Sequence, residues 1–193
     1  TMDNPSTTGL PEIPGYTSVR ELGRGAMGVV YLAQQNSLKR LVAVKVLNVP
    51  AVKDTAVSRF LREVRLCIEL SHPNVVKMLD AGATDGLAYL VMEFVDGVPL
   101  DSYIKDRGPL KPNQLLQAME ELADAMDFVH SRGIVHRDLK PGNVMAASTG
   151  VMKMMDFGLA RGESSATLTE QGNVVGSPRY LAPETVVRGV MDQ

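Results

Sequence analysis

Residues suited to phosphate chemistry occur in three short segments of this chain. The first is glycine-rich and spans residues 23–28; the second, residues 136–143, reads His-Arg-Asp-Leu-Lys-Pro-Gly-Asn. The third, residues 156–158, is Asp-Phe-Gly and starts 13 residues after the asparagine that ends the second. Glycine backbones can approach phosphate oxygens because no side chain intervenes. Together with the carboxylates, lysine and asparagine of the other segments, they indicate a site that transfers a phosphoryl group.

Four polar side chains in the last two segments could carry the chemistry. Asp138 can accept the proton of an attacking hydroxyl and orient its oxygen. Lys140 can offset charge that develops on the transferred phosphate. Asn143 and Asp156 offer the oxygen ligands that Mg²⁺ or Mn²⁺ accepts. A chance turn can hold any one of these residues, so the argument rests on their joint spacing. His136 is better explained as a packed, hydrogen-bonded core histidine than as a catalyst.

The glycines of the first segment leave two interpretations open. Gly23, Gly25 and Gly28 suit a strand–turn–strand flap over the phosphates of ATP, or an ordinary hairpin. A dinucleotide-binding fold is disfavoured, because a predicted strand follows the glycines where that fold needs a helix.

Lys45 lies in a predicted strand, residues 41–47, that is otherwise apolar. Strand alternation puts it on the face opposite three valines. These are Val42, Val44 and Val46. A buried ammonium needs a partner, and Glu63, on a predicted helix at residues 55–70, is the candidate. An exposed lysine on an edge strand is the alternative.

The elements that must position these residues change character near residue 96. Residues 1–15, rich in Thr, Pro, Ser and Gly, predict a linker. Residues 16–95 predict one helix and a five-stranded antiparallel sheet. Its strands are expected at residues 16–22, 28–34, 41–47, 75–83 and 87–95. Residues 96–193 predict a helix at 113–130 followed by short elements and loops. The fold class is therefore α+β.

Composition excludes several functions. The 193 residues are 45% hydrophobic and 22% charged with a net charge of −2, which fits a globular protein and no nucleic-acid partner. Cys67 is the only cysteine, so no internal disulfide is possible and a cytoplasmic location is expected. No apolar run approaches the roughly 18 residues that span a bilayer.

The chain resembles the bacterial eukaryotic-like (Hanks-type) Ser/Thr protein kinases from about residue 16 to residue 187. The resemblance rests on the sequences of residues 25–31 and 91–97, on the three segments above, and on Ala-Pro-Glu at 182–184. It implies a two-lobed enzyme that transfers the γ-phosphate of ATP to Ser/Thr hydroxyls, with Lys45, Glu63, Asp138 and Lys140 as its catalytic residues. It also implies an adenine pocket lined by Leu22, Val30, Ala43, Met92 and Met145, with the backbones of Glu93 and Val95 bonding the adenine edge.

The resemblance further implies regulation. Arg137 would pair with a phosphate on the activation segment. The candidate acceptors are Ser164, Ser165, Thr167 and Thr169. Ser177 stands where the family more often has threonine and would help to dock the substrate. A column of side chains expected in the active state comprises Cys67, Met78, His136 and Phe157.

The chain departs from the family by ending nine residues after Glu184, before the further helices that the resemblance implies. We therefore expect a shortened helical lobe, a helix 113–130 with reduced cover, and a homodimer that covers it. The apolar face of that helix is predicted to comprise Leu115, Leu116, Met119, Leu122, Ala123, Met126 and Val129.

Four hypotheses follow. The first is a minimal, active Ser/Thr kinase, and the second is a nucleotide-binding pseudokinase whose catalytic loop is held too loosely. A small-molecule kinase of related fold and an artificially cut fragment are the others. The presence of Lys45, Asp138 and Asp156 together favours the first.

Overall fold

The computed structural model describes residues 12–25, 28–47, 64, 67–84, 87–136, 138–157 and 180. The chain divides into two compact units by its internal contacts. The first is drawn from Thr1–Val57 and Leu79–Phe94, and the second from Ser58–Met78 and Val95–Gln193. Among the helices described, none is long and apolar enough to cross a membrane.

The first unit is built on a five-stranded sheet, as predicted. Its strands are β1 (Tyr16–Gly25), β2 (Gly28–Gln35), β3 (Arg40–Leu47), β4 (Met78–Thr84) and β5 (Leu87–Glu93). They lie in the order β1-β2-β3-β5-β4, so β3 is central. The predicted start of the fourth strand at residue 75 is wrong. Val75 forms instead an isolated parallel bridge with Met154, because its backbone pairs within the second unit.

One face of this sheet packs a hydrophobic core. Its buried members are Ile13, Val29, Tyr31, Ala33, Val42, Val44, Val46 and Val91. The three valines of β3 thus share a face, as alternation predicts. Ile13, which lies inside the segment expected to be a linker, is packed in this core.

The two edge strands of the sheet are joined by a side-chain hydrogen bond. The hydroxyl of Tyr16 in β1 donates to Asp80 Oδ2 in β4 over 3.0 Å. Burial, together with this bond to a carboxylate, raises the pKa of Tyr16 to about 12. Since β1 and β4 lie at opposite ends of the strand order, the sheet curls around its apolar core.

The second unit combines two helices with a small sheet. The helices are α1 (Leu100–Arg107) and α2 (Pro112–His130), and the sheet has the order β6 (Gly97–Pro99), β7 (Val144–Ala147), β8 (Met152–Met154). A 3₁₀ turn at Pro141–Asn143 precedes β7. Neither α1 nor this sheet is predicted by the sequence, because α1 buries only Leu100 and two strands of the sheet have three residues each.

Local signals fix the ends of α2. Pro112 occupies its first position, and Gln114 Oε1 accepts a hydrogen bond from the backbone N–H of Lys111. Gly133, with φ of 70°, follows its end, where the N–H of Ile134 reaches back to the carbonyl of Val129. The predicted bounds, residues 113–130, are confirmed to within one residue.

The predicted apolar face of α2 is only partly buried. The helix buries Ala118, Ala125 and Val129, and Ala118 packs with Leu100, Val144, Ala146 and Met152 in the core of the unit. The first turns instead expose three large apolar side chains: Leu115 (49%), Leu116 (63%) and Met119 (59%). The reduced cover predicted for this helix is therefore found in its first turns, whereas Leu122 and Val129, further along the same face, pack inward.

The helix predicted at residues 55–70 lies mostly outside the described residues. Val64, Cys67 and Ile68 have helical backbone, and Val64 and Cys67 are buried.

Candidate functional site

Lys45 lies on the face of the first unit's sheet opposite the valine core. Val30 and Leu90 are its cross-strand partners, and Ala43 in the same strand is paired with Met92. Cross-strand partners share a face, so the sheet gathers Val30, Ala43, Lys45 and Met92 on one side. Lys45 is only 7% exposed and belongs to the central strand. The alternative of an exposed lysine on an edge strand is therefore wrong.

The three glycines of the first segment differ in their surroundings. Gly28 has φ of 146°, and a Cβ on it would collide with the backbone carbonyl of Val46. Packing therefore requires glycine at this position. Gly23 and Gly25 are exposed and have no atom within 4 Å of an added Cβ. Their backbone is accessible to a ligand.

The remaining predicted adenine contacts are half-buried. Leu22 lies at a register shift in β1 between Glu21 and Gly23. Glu93 ends β5, and Val95 follows it at the start of the second unit's long segment. Met145 in β7 pairs with Lys153 and alternates with the core residues of that strand, so it faces away from the core of the second unit.

The Asp138 carboxylate is held by two side chains of its own loop. Lys140 Nζ lies 2.8 Å from Asp138 Oδ2, and Asn143 Nδ2 donates to the same oxygen over 3.0 Å. Asn143 Nδ2 also donates to the backbone carbonyl of Asp138 over 2.7 Å. Charge-assisted bonds of this kind fix orientation. The loop thus presents a positioned carboxylate with a cation beside it.

His136 is the buried anchor of this loop. Its Nδ1 accepts the backbone N–H of Asp138 over 3.3 Å, so Nε2 carries the proton and donates to the carbonyl of Met155 over 3.0 Å. The residue is 1% exposed, and burial lowers the pKa of its imidazole below 6.5. The prediction of a hydrogen-bonded core histidine is confirmed. His136 ties the Asp138 loop to the segment that carries Asp156.

Asp156 follows a segment that is bonded to the Asp138 loop, and it has an uncommon backbone conformation. Its φ is 58°, in the left-handed region that few non-glycine residues adopt. The N–H of the preceding Met155 donates to the carbonyl of Asn143 over 2.9 Å. Both predicted metal ligands are therefore on segments joined by a backbone hydrogen bond.

The donor set at Asn143 and Asp156 fits a hard divalent cation. Asn143 uses its Nδ2 toward Asp138, which leaves its amide oxygen as the atom suited to a metal. Across the described part of the chain, no group of three or more His, Cys, Asp or Glu could hold a metal. Mg²⁺ suits such a sparse set, because it keeps water ligands and uses phosphate oxygens.

The predicted column of side chains is buried in the second unit. Cys67 and Met78 are 4% and 8% exposed, and the rings of His136 and Phe157 lie 4.8 Å apart between centroids. Several predicted residues lie outside the described part of the chain: Glu63, Arg137, Ser164, Ser165, Thr167, Thr169 and Ser177.

The sequence did not identify two polar residues that hold β8, the strand that precedes Asp156. Asn74 and Glu121 contact the backbone of Met152. The signal that was available is Asn74 itself, a polar residue followed by two valines.

Comparison with known proteins places the chain in a family. The family model described as "Protein kinase domain" matches residues 16–193. The chain is 44% identical over 171 residues to the probable serine/threonine-protein kinase PknB of Lactococcus lactis, covering 88% of this chain. It is 41% identical over 176 residues to the serine/threonine-protein kinase PrkC of Bacillus subtilis, covering 91% of this chain. It spans 27% of the length of either relative.

Comparison with solved structures also finds protein kinases. The kinase domain of Mycobacterium tuberculosis PknI superposes with a TM-score of 0.68 at 34% identity, covering 82% of this chain and 63% of that domain. From the family match, these relatives and the shared fold, the chain belongs to the protein kinase family and is homologous to the bacterial Hanks-type serine/threonine kinases.

Proposed function

We propose that this chain transfers the γ-phosphoryl group of ATP to Ser/Thr hydroxyls of proteins, including its own activation segment. The observation that carries the proposal is the Asp138 carboxylate, held by Lys140 and Asn143 within hydrogen-bonding distance. The relatives named above are serine/threonine kinases and support the acceptor class.

The first unit would hold the nucleotide. The accessible backbone at Gly23 and Gly25 suits the phosphates. The adenine would contact the half-buried side chains of Leu22, Val30 and Ala43, with buried Met92 and the backbone of Glu93. Lys45 would contact the phosphates from the sheet.

The second unit would carry the chemistry. Asp138 orients the acceptor hydroxyl and takes its proton while the hydroxyl oxygen bonds to the γ-phosphorus. The bond from that phosphorus to the oxygen bridging it to the β-phosphate breaks, and ADP leaves. Lys140 offsets the charge on the transferred group. Mg²⁺ or Mn²⁺ held by Asn143 and Asp156 would offset charge on the phosphates.

Three finer features belong to the same proposal. Self-phosphorylation would occur at one or more of Ser164, Ser165, Thr167 and Thr169, with Arg137 as the cation that pairs with the phosphate. Ser177 would contribute to docking the acceptor segment. Use of ATP and a single cysteine, Cys67, support a cytoplasmic location.

A homodimer is also proposed, on the exposed apolar side chains of α2. Leu115, Leu116 and Met119 each expose about half or more of their surface, and contiguous apolar surface marks interfaces. Light scattering at micromolar concentration should report a dimer for the chain and a shift toward monomer for Leu116→Glu. A folded monomer for the unsubstituted chain would contradict this.

Phosphoryl transfer itself is tested with γ-labelled ATP and Mg²⁺. We expect label on the chain and on a peptide containing Ser and Thr, but none on the same peptide with alanine at those positions or without divalent metal. Bound ATP with no transfer to any acceptor would favour the alternative, a nucleotide-binding module without catalysis.

A further inference from the structure

Strand β8 is held at both of its edges. β7 pairs with one edge, and the segment of residues 74–76 holds the other. The N–H of Met154 donates to the carbonyl of Asn74, and the N–H of Val76 donates to the carbonyl of Met154, each over 2.8 Å. This short parallel pairing fixes the position of Met154, the last residue of β8.

Glu121 on α2 extends this support to the start of β8. Its Oε2 accepts the backbone N–H of Met152 over 2.8 Å and the side-chain amide of Asn74 over 3.3 Å. Asn74 Nδ2 also donates to the carbonyl of Met152 over 2.8 Å. The two side chains therefore satisfy both backbone groups of Met152, as a neighbouring strand would. Gln117 Nε2 bonds the other oxygen of Glu121 over 2.8 Å.

These contacts lie in the interior of the second unit. Asn74, Val75, Met152 and Met154 are each buried. A buried polar group that loses its partner is costly, so the arrangement resists sliding of β8 along the helix. His72 adds a second attachment to α2. Its Nδ1 accepts the N–H of Asn74, and its Nε2 therefore donates to Asp124 over 3.0 Å.

β8 leads directly into Asp156, whose backbone is in the left-handed region. Such a conformation persists only where its surroundings hold it. On the side of the catalytic loop it is held by the bonds of Met155 to Asn143 and His136. Toward the N-terminus, the chain reaches the end of β8 after one residue, Met155. A shift of β8 relative to α2 would therefore be transmitted to Asp156 through Met155.

We propose that Glu121, acting with Asn74, is a positioning residue for Asp156, and that it sets how well Asp156 holds a divalent metal with the nucleotide. This inference rests on the proposed phosphoryl transfer. Glu121 does not contact the reacting groups; it acts through the backbone of β8. Groups that orient a metal ligand typically contribute about 10–100-fold to metal affinity or activity.

The test measures binding, so it does not depend on turnover. Calorimetry gives two affinities for a non-hydrolysable ATP analogue, one with Mg²⁺ and one without. The ratio of these two affinities is the gain in nucleotide affinity due to the metal. In Glu121→Ala we expect this gain to fall about tenfold, while binding without metal is unchanged. Glu121→Gln should retain the gain, because its amide oxygen can still accept the N–H of Met152. Glu120→Ala, an exposed neighbour on the same helix, is the matched control.

Steady-state kinetics supply a second readout. Glu121→Ala should lower kcat at fixed Mg²⁺ and recover part of it as Mg²⁺ is raised, while Glu120→Ala follows the unsubstituted chain. If Glu121→Ala does not fold, Glu121→Asp replaces it, since its carboxylate is one methylene too short to reach Met152.

Each outcome decides the question. A metal gain that is unchanged in a folded Glu121→Ala or Glu121→Asp overturns the inference, and loss of folding in both makes the residue structural and overturns it too. An unsubstituted chain that gains no nucleotide affinity from Mg²⁺ overturns the proposed function, and the inference with it. That last result is obtained from the unsubstituted chain alone, so it is distinguished from failure of the inference without any variant.

Discussion

The sheet of the first unit and the loop that carries Asp138 are stabilised by different interactions. The sheet is held by alternating apolar side chains, such as Val42 and Val44, that are fully buried on one face. The loop is held by side-chain bonds to backbone groups, made by His136 and Asn143. The apolar packing of the sheet tolerates substitution by other apolar side chains, whereas the Asp138 loop depends on particular hydrogen-bonding atoms. Support from apolar packing and chemistry from precisely bonded side chains are thus found in different parts of the chain.

Lys45 is the polar exception within the apolar sheet, and changing it has the largest expected effect. Lys45→Met keeps the length and apolar stem of the side chain but removes the ammonium. We expect phosphoryl transfer to fall by about 10²–10³-fold, as when a group that stabilises transition-state charge is removed. Circular dichroism should show an unchanged sheet.

The control for this change is Lys39→Met, because Lys39 is exposed and lies in the turn before β3. It should transfer phosphate at the rate of the unsubstituted chain. An equal loss in both variants would show that the effect is not specific to the buried lysine.

Val44 tests the apolar half of the comparison. It is fully buried at the centre of the sheet, so Val44→Ala should lower the free energy of unfolding by about 2 kcal/mol. Chemical denaturation measures the change. Val19→Ala, at a residue 55% exposed in β1, should change it by less than about 0.5 kcal/mol. Equal effects at the two sites would mean that the valine face is not the stabilising core.

The same contrast explains what could be predicted from sequence. Period-two alternation identified the faces of β3, because packing depends on residue class. The Asp138 loop was identified by its spacing, but the bonds of Asn143 to Asp138 were not, since they depend on backbone geometry. Short elements such as α1 and β8 were missed because three to eight residues carry little periodic signal.

The exposed turns of α2 show a further limit. Leu115, Leu116 and Met119 fit an apolar helical face, yet it is Ala118 and Leu122 that pack against the sheet of the second unit. Periodicity identifies a helix more reliably than the neighbour that it contacts.

His136 gives the smallest predicted effect, a change in pH dependence. Burial lowers its pKa in the folded chain below 6.5, so below that pH the unfolded chain binds more protons. The stability associated with a neutral His136 is present above pH about 6.5 and is lost as pH falls through the folded pKa. His136→Gln, which can still donate to Met155, should reduce the slope of unfolding free energy against pH in this range. An identical slope would place the titrating group elsewhere.

The central claim is that Asp138, held by Lys140 and Asn143, activates an acceptor hydroxyl. The most direct measurement is transfer of labelled γ-phosphate per folded molecule, for the unsubstituted chain beside Asp138→Asn. We predict transfer by the chain and its loss in the variant, with nucleotide binding retained by both. Equal transfer by the two proteins would contradict the account, because the carboxylate would then have no part in the chemistry.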